Sequence, residues 1–326
     1  MIPLLDANKP CVGIVVLNYH HPAETLDCVR RLLENEPSTT RVLWVENDAH
    51  VTEELTLALI RESGIPFQLV SESSSALPPS GTLGVLLNAE NLGYAEGNNA
   101  GLRLLDRLDT PYAWVLNNDT LLMKGNSDLL VQAAKARPEV GLWGTTIQAE
   151  RKKPFPHMVH YMGGRVRFLD FSLTLVEHPD ELEQDPHAYV SGCSLFGSTK
   201  VISGLGFIPK DYFLYYEDPA FTLEARKRGY QISGVREVEI YHTESLSTGR
   251  RSPLMEFYNR RNRWFFIQRF FPHSLAKQQL RIFYTLQKLV FRGQFFRLRI
   301  ELVAFRDFKQ KRWGRSHRAF SRTLAE

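Results

Sequence analysis

Residues 112–122, "YAWVLNNDTLL", change character halfway along the segment. The first five are apolar and β-prone, which predicts a buried strand. The strand then runs into Asn117, Asn118 and Asp119. These residue types are common in turns, but a metal or phosphate site at the carboxyl edge of a parallel sheet would use them too. The segment alone leaves both interpretations open.

Short apolar runs alternate with helix-like stretches in the first third of the chain. The apolar runs cover residues 11–19, 41–48, 82–90 and 112–116. The helix-like stretches cover residues 21–36 and 94–108. Continuous β-branched runs are typical of strands buried on both faces, and their alternation with helices predicts an α/β chain with a mostly parallel sheet flanked by helices. Residues 151–190, with scattered Pro, Gly and His, predict no particular element.

The composition is that of an ordinary globular protein, with 43% hydrophobic and 23% charged residues among 326. Three widely spaced cysteines without a C-x-x-C pair favour neither a disulfide framework nor a zinc site. No apolar run approaches the roughly 18 residues needed to span a bilayer, and residues 1–10 lack the apolar core of a signal peptide. We therefore expect a cytoplasmic protein.

The charge is distributed unevenly along the chain. Residues 250–326 contain 19 Lys and Arg against 4 Asp and Glu, whereas residues 1–249 contain 21 against 32. This shift predicts a first domain at 1–250 and a basic, aromatic, helical region at 251–326. That region could bind nucleic acid, lie on the inner face of an anionic plasma membrane as a peripheral contact, or pack its aromatics on the first domain.

The first predicted turn between strand and helix disfavours two large enzyme classes. Residues 15–22, "VVLNYHHP", contain no glycine. A dinucleotide-binding fingerprint and a phosphate-binding P-loop both need glycines at this point, and neither pattern occurs elsewhere in the chain. Dehydrogenase and kinase functions are therefore disfavoured.

Polar clusters follow several of the predicted strands. They are "LNYH" at 17–20, "VEND" at 45–48, "NLGYAEGNNAG" at 91–101 and "LNNDT" at 116–120. Because the carboxyl ends of parallel strands share one edge of a sheet, we expect these clusters to lie together there. The glycines of the third cluster, at a helix start, would allow close approach of a phosphate; helix–sheet packing would require glycines as well.

Two further positions could carry chemistry. Glu217 and Asp218 follow an aromatic run, and Asp218 could cap a helix that begins at Pro219. A carboxylate at a helix start can also act as a general base. His242 ends another apolar run, where an isolated histidine is usually structural, but beside an Asp it becomes a reasonable ligand for a divalent metal.

The order of these motifs resembles that of the family 2 glycosyltransferases with the GT-A fold, and within them the rhamnosyltransferase-like branch of bacterial polysaccharide synthesis. The similarity runs from about residue 12 to residue 266. Its motifs are "LNYH", "VEND", "ENLGYAEGNNAG", "VLNNDT", "SGCSLF", "DYFLYYED", "RKRGY", the histidine of "YHTES" and "YNRRN".

The resemblance implies a role for each polar cluster. Asp119, with Asn117 in the family's D-x-D position and His242 as a further ligand, would hold Mg²⁺ or Mn²⁺, and Asp218, beside Glu217, would be the catalytic base. The implied donor-binding residues are Asn18, Tyr19, Glu46, Asn91, Gly93, Gly97, Asn98, Asn99 and Asn118.

The sequence thus predicts an inverting, metal-dependent hexosyltransferase. By resemblance it would move a sugar, first of all rhamnose from dTDP-rhamnose, to a saccharide or polyprenyl-linked saccharide acceptor in cell-surface polysaccharide synthesis. Asn117 and Ala220 replace two acidic residues of the family pattern. A catalytically impaired sugar-nucleotide-binding relative is therefore one alternative, and a nucleic-acid-binding protein that uses the basic region is another.

Overall fold

The computed structural model describes residues 10–151, 157–243 and 252–316. In these ranges the strands are β1 (Val12–Asn18), β2 (Thr40–Asn47), β3 (Phe67–Val70), β4 (Leu83–Asn88), β5 (Tyr112–Asn117), β6 (Thr120–Lys124), β7 (Val140–Arg151), β8 (His157–Tyr161), β9 (Gly163–Val166), β10 (Leu173–Val176), β11 (Ala188–Val190), β12 (Ser194–Ser198) and β13 (Gln231–His242). The helices are α1 (Pro22–Asn35), α2 (Ala49–Glu62), α3 (Gly93–Arg107), α4 (Ser127–Ala136), α5 (Pro179–Gln184), α6 (Thr199–Gly204), α7 (Glu217–Lys227), α8 (Pro253–Phe270), α9 (Leu275–Phe291) and α10 (Phe295–Lys309).

A central sheet organises the described chain. Its strand order is β3-β4-β2-β1-β5-β12-β7-β13-β6, with β8 paired to β7. The five strands from β3 to β5 run parallel, whereas β12 and β6 run antiparallel to their neighbours. The predicted α/β class with a mostly parallel sheet is confirmed.

The apolar runs of the sequence are continuous because both faces of the sheet are covered. Along β1, Ile14 and Val16 belong to one buried cluster, which also contains residues of α1 and α4. Val15 and Leu17 belong to a second cluster, which contains residues of α3 and α7. Successive side chains of a strand point to opposite faces, so a strand between two helix layers needs an apolar residue at every position.

Residues 151–190, for which the sequence predicted no element, contribute β8 to the central sheet and form a second, smaller one. In it β9 pairs antiparallel with β10 and β11. These strands are only three or four residues long. Such short strands give too little alternation to be recognised in a sequence.

The C-terminal helices pack on the sheet domain through aromatic side chains. Trp264, Phe265 and Phe266 of α8 share a buried cluster with Tyr212 and Tyr216. The helical character predicted for this region is confirmed, and the predicted boundary at residue 250 lies outside the described residues. Within the three described ranges, no helix is both long enough and apolar enough to cross a membrane.

Candidate active site

Strand pairing brings Asp119 and His242 together. Asp119 lies between β5 and β6, and β6 pairs with β13 so that Thr120 is opposite His242. The backbone N–H of Thr243 donates to the carbonyl of Asp119 at 3.0 Å. As a result, Nε2 of His242 lies 3.2 Å from Oδ1 of Asp119, and its Nδ1 lies 3.3 Å from the hydroxyl of Tyr161.

The surroundings of this pair favour a positive charge. Burial lowers the pKa of His242, but Cys193 and Asp119 outweigh burial and raise that pKa well above its ordinary value. The side-chain oxygen of Asn117 is also buried, without a hydrogen-bond partner among the described residues. A carboxylate, an imidazole nitrogen and an unpaired amide oxygen are ligands that suit a divalent cation.

No group of three or more His, Cys, Asp and Glu side chains that could hold a metal is found within the described residues. Mg²⁺ sites in enzymes commonly use one or two carboxylates and complete their coordination with water and substrate phosphates. The residues present therefore fit a cation that binds together with a phosphate ligand rather than one held in a closed protein cage.

Glu217 and Asp218 form a second acidic centre. The prediction that Asp218 caps a helix beginning at Pro219 is wrong, because α7 begins at Glu217 and Tyr216 occupies the N-cap position. Asp218 instead accepts a hydrogen bond from the backbone N–H of Gly192 at 3.1 Å. Glu217 is 6% exposed, and its Oε2 has no hydrogen-bond partner in the described chain.

Burial dominates the electrostatics of this acidic pair. It raises the pKa of Glu217, and the adjacent charge of Asp218 raises it further. Burial also raises the pKa of Asp218, while hydrogen bonds from the backbone, including that of Gly192, lower it in part. Both carboxyl groups therefore hold their protons to a higher pH than in water, as expected when a low dielectric surrounds an acid.

A segment of small residues, 191–193, connects the two centres. Gly192 binds Asp218 through its N–H and accepts a hydrogen bond from the hydroxyl of Tyr94 through its carbonyl. The next carbonyl, that of Cys193, accepts the backbone N–H of Asn117 at 3.0 Å. Consecutive residues thus contact the carboxylate of α7 and the strand end that precedes Asp119.

Tyr94 lies close to both centres, although no role was predicted for it. Burial and the charges of Glu217, Asp218 and Asp119 all raise the pKa of its hydroxyl. Tyr94 belongs to the glycine-rich cluster at 91–101. The sequence signal that could have identified Tyr94 as a site residue was its position between two glycines. Aromatic residues at helix starts are usually core residues, so this signal is weak.

The turn that precedes Glu217 is strained and is held by α8. Phe213, Tyr215 and Tyr216 have φ values of 65°, 66° and 73°, and such left-handed conformations cost about 1–3 kcal/mol each for residues other than glycine. The side-chain amide of Asn262, which is fully buried, donates to the carbonyls of Tyr212, Leu214 and Tyr215, each at 2.8 Å.

Arg261 supports Asn262 from the neighbouring position. Its guanidinium donates to Oδ1 of Asn262 through two nitrogens, each at 3.0 Å, and to the carbonyl of Gly314 at 2.8 Å. Burial lowers the pKa of Arg261 to about 10. The "YNRRN" motif therefore orients the turn before the acidic pair. The motif and the turn are about 48 residues apart in sequence, so no local sequence pattern predicts their contact.

Asn18 and Glu46, predicted to contact a donor, are both fully buried. The Glu46 carboxylate accepts hydrogen bonds from Asn18 (2.8 and 3.0 Å), Trp44 (3.2 Å), Thr52 (2.7 Å) and Thr56 (2.8 Å). These five contacts exceed its roughly four lone-pair sites. The structure therefore disagrees with direct donor contact by Glu46, which fixes Asn18 instead.

The other two residues predicted near the first strand, Asn118 and Tyr19, both lie at partly exposed positions. Asn118 donates to Thr25 at 2.9 Å and to Oδ1 of Asn18 at 3.4 Å, so it extends the network around Asn18 towards solvent. Tyr19 is partly exposed and contacts the ring of His20 edge-on, with centroids 4.2 Å apart.

The start of α3 uses its glycines for close packing. Gly93 has φ +80°, and a Cβ there would lie 2.4 Å from the carbonyl oxygen of Phe213. A Cβ on Gly97 would lie 2.7 Å from Leu17. Asn91 accepts the backbone N–H of Gly93 at 2.8 Å. Packing, the alternative left open by the sequence, thus accounts for both glycines.

Asn98 and Asn99 also make contacts within the protein. Asn98 donates to the carbonyl of Tyr94 at 2.9 Å, and its side-chain oxygen is buried without a partner in the described chain. Asn99 exchanges two hydrogen bonds with the backbone of Ile208, at 2.8 and 3.0 Å. The pair therefore stabilises α3 and the 208 loop, and a donor contact stays a prediction.

No family model matches the chain. It is 25% identical over 225 residues to the low-salt glycan biosynthesis hexosyltransferase Agl10 of Haloferax volcanii, a match that covers 66% of this chain and 70% of the relative. This similarity is distant.

Several solved structures are similar in fold. GalNAc-T7 with UDP, GalNAc and Mn²⁺ has a TM-score of 0.55 at 12% identity over 78% of this chain, which spans 48% of the GalNAc-T7 chain. The mannosyltransferase PcManGT from Pyrobaculum calidifontis, in complex with GDP-Man and Mn²⁺, has a TM-score of 0.52 at 14% identity (93% of this chain, 76% of that one). S. aureus TarS 1-349 in complex with UDP-GlcNAc has a TM-score of 0.53 at 15% identity (92% and 80%). The chain thus has the GT-A fold of glycosyltransferases, whereas the rhamnosyltransferase-like branch stays a prediction.

We predict that Asn262→Ala destabilises the protein by about 3 kcal/mol, because the buried carbonyls of Leu214 and Tyr215 in a strained turn lose their amide donor and that of Tyr212 loses one of its donors. Urea denaturation measures the effect. Asn259→Ala is the matched control on the same helix, since Asn259 makes a single 3.0 Å bond to the carbonyl of Met255; it should cost less than about 1 kcal/mol. Equal losses for the two variants would contradict the role given to Asn262.

We predict that Glu217→Gln stabilises the protein at alkaline pH but not at pH 4. An unfolded Glu217 ionises near 4.5, whereas the folded one keeps its proton to higher pH. The free energy of unfolding of the wild type therefore falls as pH rises through that interval, by an amount on the order of 2 kcal/mol, and the neutral amide avoids this loss. Urea denaturation at pH 4 and pH 8.5 measures it. Glu224→Gln, also on α7 but paired with Arg228 and Arg269, should show no such gain.

Proposed function

We propose that the chain is an inverting glycosyltransferase that uses a nucleotide-sugar donor. The observation that carries this proposal is the junction at residues 191–193, where Gly192 binds Asp218 and Cys193 binds the strand end before Asp119. A cation-binding pair and a buried carboxylate on either side of one segment suit a reaction with a leaving diphosphate and an attacking hydroxyl. The GT-A fold and the distant similarity to a hexosyltransferase support the same reaction class.

Asp119 and His242, with the unpaired oxygen of Asn117, would hold Mg²⁺ or Mn²⁺. When bound, the cation stabilises the charge that develops on the departing diphosphate. Tyr161 accepts or donates at Nδ1 of His242 and so keeps Nε2 directed at Asp119. This arrangement resembles the outer partner that orients a metal-bound histidine in other proteins.

Asp218 would remove the proton from the acceptor hydroxyl. Its raised pKa makes the carboxylate a better proton acceptor than a carboxylate in water, and the N–H of Gly192 fixes its position. Glu217, buried beside it, has a pKa raised by burial and by the charge of Asp218, so it does not ionise easily at the same time as Asp218. Attack from the side of Asp218, opposite the leaving group, inverts the anomeric carbon.

The finer assignments follow from the resemblance. We propose dTDP-rhamnose as the first donor to test, a saccharide or polyprenyl-linked saccharide as the acceptor, and a catalytic domain that ends near residue 250. Tyr19 and the 91–99 loop would contact the donor, while Asn18 and Glu46 would support the first loop from below. The expected setting is cytoplasmic, with peripheral membrane contact.

A nucleic-acid-binding function is not favoured. Much of the positive charge on α8 is neutralised or buried, since Arg260 and Arg263 pair with the fully buried Glu301 and Arg261 is buried in the motif that holds the turn. Little of it remains to follow a phosphate backbone.

We predict that calorimetric titration of dTDP into the protein gives binding only with Mn²⁺ present, and that Asp119→Ala abolishes it. The same titration with UDP ranks the two bases. Asp128→Ala is the control, since Asp128 is an exposed carboxylate on α4. Metal-dependent binding unaffected by Asp119→Ala would refute the assigned cation site, and no binding of either nucleotide would refute the donor site.

We predict that Asp218→Asn lowers the turnover of a bound nucleotide sugar by about 10²-fold or more, while nucleotide affinity stays unchanged. The measurement is release of dTDP from dTDP-rhamnose, or of UDP from a UDP-hexose if UDP binds better, with water as the acceptor. Glu224→Gln on the same helix should keep wild-type turnover. An Asp218→Asn variant of full activity would remove the base from this position.

A further inference from the structure

Helix α9 presents an apolar face that no other part of the described chain covers. Leu280, Phe283, Tyr284 and Phe291 are 71%, 64%, 70% and 88% exposed. Their spacing places them on one side of the helix. The opposite side, with Ile282 and Leu289, is buried. Folding therefore buries one side of α9 and leaves four large apolar side chains on the other side exposed to water.

Neighbouring segments expose apolar side chains as well. Phe295, at the start of α10, is 65% exposed. The loop that carries Phe168 and Leu169, 52% and 58% exposed, lies against α9, because the carbonyl of Leu169 accepts a hydrogen bond from Gln278 at 3.1 Å. Large apolar side chains grouped on one exposed helix face, as on α9, mark an interaction site more often than scattered ones do.

The charges on α9 itself are all of one sign. Residues 275–294 contain four Lys and Arg and no Asp or Glu. Lys277, Lys288 and Arg292 are exposed, and none has an acidic partner within the described residues. The face therefore combines an apolar centre with a cationic border.

We propose that α9 docks the protein on the surface of an anionic lipid bilayer. The apolar side chains would enter the boundary between headgroups and acyl chains, and Lys277, Lys288 and Arg292 would lie at the anionic headgroups. The helix, 17 residues long, would lie parallel to the surface. This inference does not depend on the assigned reaction.

Charge complementarity selects the bilayer over the other occupants. Two copies of α9 packed through this face would bring six exposed cations together, and α9 itself has no carboxylate to neutralise them, which opposes a symmetric dimer. Nucleic acid would use the cations but would leave aliphatic Leu280, and Val290 of the same helix, which is 48% exposed, against phosphates. An anionic bilayer uses both the apolar centre and the cationic border.

The test is co-sedimentation of the full chain with vesicles of phosphatidylcholine alone and of phosphatidylcholine with phosphatidylglycerol. We expect binding to the anionic vesicles, at least about tenfold stronger than to the zwitterionic ones. The variant L280S/F283S/Y284S/F291S should lose about tenfold or more of this binding. K277Q/K288Q/R292Q should lose the preference for anionic lipid.

The matched control is V51S/L55S on α2, where two apolar side chains 67% and 61% exposed lie outside the proposed face; it should bind like the wild type. Circular dichroism and a thermal melt check that each variant is folded. The dTDP titration is a separate readout, and the α9 variants should leave it unchanged.

Three results would overturn the proposal. These are no wild-type binding to anionic vesicles, undiminished binding by the folded serine variant, or a wild-type dimer in sedimentation velocity that the serine variant abolishes without any vesicle binding. Binding to DNA that depends on the three cations and not on the four apolar side chains would also replace the bilayer by nucleic acid.

Discussion

The contacts of the Asn262 amide, whose two N–H groups are shared among the carbonyls of Tyr212, Leu214 and Tyr215, are the constraint on which the site depends. They hold a turn in which Phe213, Tyr215 and Tyr216 adopt left-handed backbone conformations. This turn sets the first residue of α7, and so the place from which Glu217 and Asp218 project. A residue of α8 therefore determines the geometry of a site on the sheet domain.

A second constraint is the burial of charge around small residues. Gly192 allows Tyr94 and Asp218 to approach the backbone closely, since a Cβ there would lie 3.3–3.4 Å from both side chains. The backbone N–H of Gly192 partly offsets the effect of burial on the pKa of Asp218, and Asp119 has the imidazole of His242 beside it. Glu46 follows a different rule: it is a buried carboxylate that four protein donors satisfy completely, so it serves structure rather than chemistry.

The fold could be predicted because two-sided burial leaves a local signature, the continuous apolar runs of β1, β2, β4 and β5. The same reasoning found that polar clusters end the strands, but it could not separate side chains that face solvent from those that face the next strand. Asn18 and Tyr19 are neighbours in sequence and differ completely in exposure. Gly97 is likewise at the expected helix start, yet whether a glycine faces a phosphate or Leu17 depends on helix rotation. The structural role of Asn262 could not be predicted, because the carbonyls that its amide contacts lie about 50 residues earlier in the chain.

The excess of positive charge in the C-terminal region has a different role on α8 than on α9. On α8 each arginine is buried or has an acidic partner: Arg261 is buried, Arg260 and Arg263 pair with Glu301, and Arg269 pairs with Glu224. On α9 the cations remain at the surface beside uncovered apolar side chains. Aromatic residues of α8 and Ile282 of α9 share one buried cluster with Tyr212 and Tyr216. The turn and the α9 face therefore belong to one packed unit. A surface bound through α9 would therefore lie at a fixed distance and angle from Asp218, so that an acceptor held in that surface would meet the carboxylate in one orientation.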